Sequence, residues 1–375
     1  MRVNFLLGSF PRNPSGGALV VYQYANGLAQ LGHEVTITYA RRMPAWESFR
    51  GTTLSQRVRG AARGVLDAFS DCRPDWFELD VRVRVESLPE YDANRLVNAD
   101  VVVATFWPTA EFASGLPAGK GKPIYLIQHL EDWAGPRERV LDTWRLPMTK
   151  VTVARWLYRE GLRMGLSSSE LAYVPNAVEH DVFHQASPIE TRRPHVAFMY
   201  SRATWKGAAD AIAALESARA EMPTLKATSY GVWRRPDELP EWIDYVRAPS
   251  REQLVTGILN KASIFLCSSW SEGWGLPGAE ASACGCALVS TDNGGVRDYA
   301  VQGTTALLSE PKDVSALASN VISLLKDDAR RVEIAQAGRK NVLDFHWERS
   351  IASFEHVLMR EITSTRGEFL ACSVA

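Results

Sequence analysis

Apolar positions along the chain alternate between two periods. Short aliphatic and β-branched runs at 3–7, 35–39, 101–104, 124–127 and 171–174 are read as buried strands. Between most of them the spacing changes to three and four. Val20, Tyr24, Leu28 and Leu31 share one helical face, which Gly16-Gly17 opens and Gly32 closes. A second series follows Pro188 and Pro194, with strands at 196–200, 227–230, 264–266, 288–290 and 306–308 and helices at 314–325, 330–343 and 348–362. The stretch 179–194 between the two series is polar, proline-bearing and weakly periodic, so the domain boundary is placed there. The expected domains are 1–185 and 190–347. Strand–helix alternation of this kind predicts two doubly wound α/β domains with mostly parallel sheets. Placed in tandem they put a cleft between them. Ligands are then sought at the loops leaving the carboxyl ends of the strands.

Composition narrows the class. The 375 residues fit two domains of ordinary size, and 46% apolar with 23% charged residues is a globular balance. The formal net charge of −1 gives no whole-protein field to recruit nucleic acid or an acidic membrane. Residues 1–8 read as a strand running into a glycine turn rather than a signal peptide, and no run approaches the roughly 18 apolar residues of a membrane span. The five cysteines are scattered and odd in number, which suits a reducing cytoplasm. Cys284-Gly285-Cys286 lacks a second ligand pair and is read as small residues packed at a helix end, so no metal site is expected.

The segment most informative about chemistry is Ser268-Ser269-Trp270-Ser271-Glu272-Gly273-Trp274-Gly275-Leu276-Pro277-Gly278-Ala279-Glu280, which directly follows the strand at 264–266. Gly273 and Gly275 let backbone amides approach a ligand, and Pro277 suits the first turn of a helix whose amino end favours an anion such as a diphosphate. Glu280 falls about one turn into that helix and Glu272 in the loop before it, so both carboxylates can accept hydrogen bonds from one hydroxyl-rich ligand. Arg202 and Lys206 follow the first strand of the second domain. They are read either as a solvated helix face or as cations for the same diphosphate. Gly16-Gly17, after the first strand, is either a plain tight turn or a close approach to a ligand; it is not a full dinucleotide fingerprint. His129, in Gln128-His129-Leu130-Glu131-Asp132 after the strand at 124–127, is either structural or functional.

These residues resemble the retaining glycosyltransferases of the GT-B fold, family 4 (glycosyl transferases group 1), over nearly the whole chain. The strongest element is the pair of glutamates eight residues apart, Glu272 and Glu280, in a Glu-Gly-x-Gly-Leu-Pro context. Gly16-Gly17 with Leu31-Gly32-His33-Glu34-Val35, Val174-Pro175-Asn176 before Phe183, Gly294-Gly295, and Phe345-His346-Trp347 before the last helix support it. The resemblance implies a nucleoside-diphosphate sugar as donor substrate, no cofactor and no metal. It implies donor phosphate held by the backbone of Gly273, Trp274, Gly275 and Leu276, ribose bound by Glu280 and the transferred sugar by Glu272. Arg202 and Lys206 would offset leaving-group charge, Gly16 and Gly17 would approach the diphosphate from the other domain, and His129 would contact the sugar near its reacting carbon. The last helix, about 348–375, would cross back onto the first, acceptor-side domain.

The expected enzyme is thus a metal-independent hexosyl- or deoxyhexosyltransferase acting in glycan, glycolipid or glycosylated-metabolite biosynthesis. The acceptor would be a carbohydrate, a lipid-linked molecule or a small molecule bearing a hydroxyl. The alternatives are a nucleotide-sugar epimerase of the same fold and a catalytically degenerate partner subunit. Leu54, Val58, Ala61, Ala62, Val65, Leu66 and Phe69 stand at helical spacing within 53–69, with Arg57, Arg59 and Arg63 among them. That segment is either a core-facing helix or a peripheral contact with the inner face of the cell membrane.

Overall fold

In the computed structural model, residues 1–49 and 72–372 are described; the helical spacing expected at 53–69 lies outside the described residues. The chain divides into two compact units, Met1–Pro175 together with Glu348–Ala375, and Asn176–Trp347.

The first unit carries an all-parallel sheet of seven strands: β1 (Arg2–Leu7), β2 (Glu34–Ala40), β3 (Arg84–Leu88), β4 (Val101–Ala104), β5 (Lys122–Ile127), β6 (Thr149–Thr152) and β7 (Leu171–Tyr173). Their order is β3-β2-β1-β4-β5-β6-β7, so the direction of strand addition reverses between β1 and β4. The centre of the sheet is covered on both faces, and accordingly Phe5, Leu6, Val101, Val102, Val103, Ile124, Leu126 and Ile127 are fully buried. Helices α1 (Gly16–Gln30), α2 (Pro44–Phe49), α3 (Trp107–Ser114), α4 (Arg137–Asp142) and α5 (Arg155–Arg163) connect or flank the strands. α1 ends as its glycine predicts. Gly32 adopts φ 87°, its N–H reaches the Ala29 carbonyl at 3.1 Å, and the His33 N–H reaches the Leu28 carbonyl at 3.0 Å. Val20, Tyr24 and Leu28 are buried on the expected face, but Leu31 is 53% exposed, because it caps the helix instead of continuing it.

The second unit repeats the plan with six parallel strands, β8 (His195–Met199), β9 (Lys226–Gly231), β10 (Ile243–Arg247), β11 (Ile264–Cys267), β12 (Ala287–Thr291) and β13 (Ala306–Ser309), ordered β10-β9-β8-β11-β12-β13. This is the strand order of a Rossmann sheet, with its switch point between β8 and β11. Helices α6 (Ala208–Glu221), α7 (Leu276–Ala283), α8 (Val314–Lys326) and α9 (Asp328–Val342) accompany it, and Val196, Phe198, Leu215, Ile264, Val289, Val321 and Ile334 belong to its core.

The last helix, α10 (Trp347–Cys372), packs on the first unit, as the resemblance implied. Phe354 is fully buried, 4.4 Å ring to ring from Tyr24 and 6.2 Å from Phe5. The absence of a side chain at Gly27 makes room for Ile351, whose Cδ1 lies 2.3 Å from where a Cβ would stand. Glu355 meets the ring of His33 at 2.6 Å.

Candidate functional site

In the second unit the site is built where neighbouring strands β8 and β11 end. Two loops leave their carboxyl ends and run against each other. Gly207 makes this approach possible: its φ is 62°, and a Cβ there would lie 2.1 Å from the Ser268 carbonyl oxygen. The loops are tied by Trp270 N–H to the Trp205 carbonyl at 2.7 Å and by Ser268 Oγ to the Lys206 carbonyl at 3.2 Å. This packing brings Lys206 Nζ within 2.7 Å of both carboxylate oxygens of Glu272. The pair is well shielded, with side chains 24% and 9% exposed. Glu272 is also held through its backbone, since its N–H donates to the Asn293 carbonyl at 2.9 Å and it bridges to Gly294. A carboxylate and an ammonium in such a setting compensate each other's charge, and removing one costs the other that compensation.

Gly275 adopts φ 92° and caps α7 without any side-chain hydrogen bond; Leu276 and Pro277 are its first two residues, and its first turn contains no acid. By contrast, Asp313 and Asp327 cap α8 and α9, accepting from Ala316 N and Arg330 N at 2.9 Å each. In the first turn of α7, Pro277 has no N–H, and the Gly278 and Ala279 N–H groups donate to the Gly275 carbonyl at 3.1 and 3.4 Å, so the Leu276 N–H is the donor that no capping side chain takes up, at a helix end suited to an anion. Tyr299 fixes this turn by donating to the Gly275 carbonyl at 2.8 Å, and its hydroxyl lies 2.5 Å from where a Cβ on Gly278 would be. Gly273 and Trp274 are buried, and the Trp274 ring packs into the unit against Tyr299 and Phe345 at 5.0 and 5.4 Å. Glu280 keeps some solvent contact. Burial pushes its carboxyl up to about 7, with Arg251 opposing and Glu179 reinforcing the shift. At neutral pH it can consequently both donate to and accept from hydroxyl groups. Arg202 stands apart from Lys206: it is exposed, with its guanidinium 4.8 Å from the centre of the Trp233 ring. The structure thus joins Lys206 to Glu272 and gives Arg202 a separate support.

In the first unit, Gly16 and Gly17 are exposed at the amino end of α1, where Ser15 makes no side-chain cap. Gln128, in the loop after β5, donates from Nε2 to the Gly17 carbonyl at 3.1 Å. The next residue, His129, accepts at Nδ1 from the Glu131 N–H at 3.3 Å and from Trp133 Nε1 at 3.4 Å. Its ring meets Trp133 and Trp156 edge to face at 6.3 and 6.1 Å. Glu131 is buried, and burial pushes its carboxyl up to about 8 against the hydrogen bonds from Trp107 and Tyr125. A hollow in this unit, lined by Arg2, Glu34, Arg84 and Asn98, opens at the amino ends of β1 to β3, the end that ligands of such sheets do not use. Among the described residues, no group of three or more His, Cys, Asp or Glu is arranged to hold a metal ion.

Three residues that shape the site were not singled out from the sequence. Tyr299 and Asn293 have only a general signal, their place in and after the loop containing Gly294-Gly295. Arg251, ion-paired with Glu179 and felt by Glu280, has none, because the three are distant along the chain.

The profile of the family described as glycosyl transferases group 1 matches residues 180–341, a span that includes Arg202, Lys206, Glu272 and Glu280. The chain is 30% identical to the glycogen synthase of Mycobacterium tuberculosis, over 93% of this chain and 92% of that protein. Among solved structures it is similar to sucrose-phosphate synthase from Thermosynechococcus elongatus, with a TM-score of 0.74 at 16% identity over 97% of this chain and 99% of that one. It is also similar to the Anabaena protein HepE in complex with UDP and glucose, with a TM-score of 0.72 at 13% identity over 96% and 100%. The two parallel-sheet units and these neighbours together give the chain the GT-B fold.

Proposed function

The chain belongs to the group 1 glycosyltransferases, and on that footing we propose that it moves a sugar from a nucleoside-diphosphate sugar to a hydroxyl acceptor with retention at the anomeric carbon. The observation that carries this reading is the shielded Lys206–Glu272 pair beside the amino end of α7. A diphosphate at the amino end of α7 would take a hydrogen bond from the Leu276 N–H, meet the helix dipole, and draw Lys206 toward it, so that Glu272 can accept from hydroxyls of the transferred sugar. Arg202 adds a second cation to the leaving group, and Glu280 engages the ribose. Gly16 and Gly17 approach the diphosphate from the first unit, which serves the acceptor side, and His129 contacts the sugar.

The bond from the anomeric carbon to the diphosphate oxygen breaks, and the bond to the acceptor oxygen forms on the same face. The acceptor proton passes to a donor phosphate oxygen, so no protein nucleophile is assigned. Charge on the departing diphosphate is offset by Lys206, Arg202 and the amino end of α7 rather than by a metal. UDP-glucose is the first donor to try, given the UDP and glucose bound in the Anabaena protein. A reducing cytoplasm is the proposed location.

The test is slow release of nucleoside diphosphate from a panel of nucleotide sugars, with and without excess chelator. Turnover of one donor that persists in chelator and falls on the order of a hundredfold in Glu272→Gln is expected. Isomerised nucleotide sugar without diphosphate release would point to an epimerase instead. Turnover that is lost in chelator and restored by magnesium or manganese would overturn metal independence.

A further inference from the structure

Glu131 is a loop carboxyl that is only 5% exposed, and its φ of 61° lies in the left-handed region that side chains rarely adopt. Such a conformation persists where surrounding contacts over-determine it. Here they are explicit. One carboxyl oxygen, Oε2, accepts from the backbone N–H of Trp107, the first residue of α3, at 2.8 Å, and from the hydroxyl of Tyr125 on β5 at 3.2 Å. The residue is anchored by its side chain to a helix start and a strand while its own N–H points at the ring of His129, 3.3 Å from Nδ1. Trp133 Nε1 approaches the same nitrogen at 3.4 Å. Both groups are donors only, so Nδ1 is the acceptor and the ring proton of neutral His129 resides on Nε2.

We infer that Glu131 is a positioning residue: its clamped carboxyl holds the 129–131 turn in the one form that presents His129 as an Nε2–H donor. A neutral imidazole with that proton can donate a hydrogen bond to a sugar oxygen and does not need to titrate in the reaction. The inference rests on the reading that His129 contacts the transferred sugar. Because burial pushes the Glu131 carboxyl up to about 8, it is mostly the neutral acid at pH 7, and glutamine imitates that form in size and in acceptor capacity.

The experiment is a nitrogen–proton correlation spectrum of histidine-labelled enzyme at pH 7.5, with His129 assigned from the spectrum of His129→Gln and donor turnover measured in parallel. Wild type and Glu131→Gln are expected to show the Nε2–H signature and kcat within about twofold of each other, the size of effect left when a hydrogen bond is replaced rather than lost. Glu131→Ala is expected to move population to the Nδ1–H form and to lower kcat about tenfold, with little change in donor KM. Trp133→Phe, which removes the second donor and leaves the anchor, decides the matter if Glu131→Ala does not fold; it should shift the tautomer part way. An unchanged Nε2–H signature in both variants, or a fall in Glu131→Gln equal to that in Glu131→Ala, overturns the inference. Full turnover in His129→Gln would instead defeat the role of His129 itself, while the tautomer result would still report on Glu131.

Discussion

The loops after β11 and after β5 both carry a candidate group beyond the carboxyl end of a buried strand, but they are held by different physics. Around Glu272 the backbone is shaped by glycine. Gly207, Gly275 and Gly294 take positive φ, and a Cβ on Gly295 would fall 2.6 Å from the Trp274 backbone. Around His129 the corresponding left-handed residue is Glu131, which is fixed by a buried carboxyl. Glycine allows close packing at no steric cost and is indifferent to pH. A buried acid imposes the same kind of turn at a cost, and that cost depends on protonation. The loop after β5 should consequently answer to isosteric substitution at Glu131 and to pH, whereas the loop after β11 should answer to any added side-chain bulk.

Adding bulk should have the largest effect. Gly207→Ala drives a Cβ toward the Ser268 carbonyl from a left-handed backbone, so the two loops must part. A loss of about 3–5 kcal/mol in urea unfolding, together with complete loss of donor turnover, is expected. Wild-type stability in this variant would show that the loops can separate freely.

Next in size is Lys206→Ala, which removes the cation that compensates the shielded Glu272 carboxylate. It should destabilise the protein by about 2–3 kcal/mol, somewhat below the range for a fully buried pair because Lys206 is 24% exposed. Adding Glu272→Gln should recover most of that stability and none of the activity. If the double variant is as unstable as the sum of the two singles, the pair is not coupled.

The smallest effect is on pH dependence. An acid whose folded value is raised binds its proton more tightly when folded, so its contribution is fully present below the ordinary carboxyl range and is lost as pH rises. For Glu131 that loss runs from near 4.5 up through about 8, and for Glu280 from near 4.5 through about 7. Melting of Glu131→Gln should be flatter than that of wild type over this interval, and the gap should widen toward pH 8. A constant difference between the two curves would mean that Glu131 is already ionised at pH 5.

Much of this was legible in the chain. Runs at β1, β2, β4, β5, β7, β8, β9, β11, β12 and β13 were read as strands, and the central ones are largely apolar because both faces of the sheet are covered. Three strands escaped notice. β3 and β10 lie at sheet edges and mix charged with apolar residues, Arg-Val-Glu-Ser-Leu and Ile-Asp-Tyr-Val-Arg. β6 reads Thr-Lys-Val-Thr, which is polar, yet all four residues are buried. Lys150 fits there because its Nζ donates to the Leu146 carbonyl at 2.7 Å, while burial lowers its pKa. At the site, Glu272, Gly275 and Glu280 could be read because one contiguous loop and helix carries them. The Lys206–Glu272 pair joins residues 66 apart, and the task of Glu131 depends on Trp107 and Tyr125, so both required the folded chain.

The central claim is that the loop and helix from Glu272 to Glu280 form the nucleotide half of the donor site. Calorimetric titration of UDP into wild type, Glu280→Ala and Arg202→Ala tests it without an acceptor or a chemical step. Saturable binding to wild type, weakened about tenfold or more in each variant, is the expected result, since each loses a hydrogen bond to a charged or ribosyl group. Equal affinity for all three proteins, or no binding to wild type by UDP or any other nucleoside diphosphate, would contradict it.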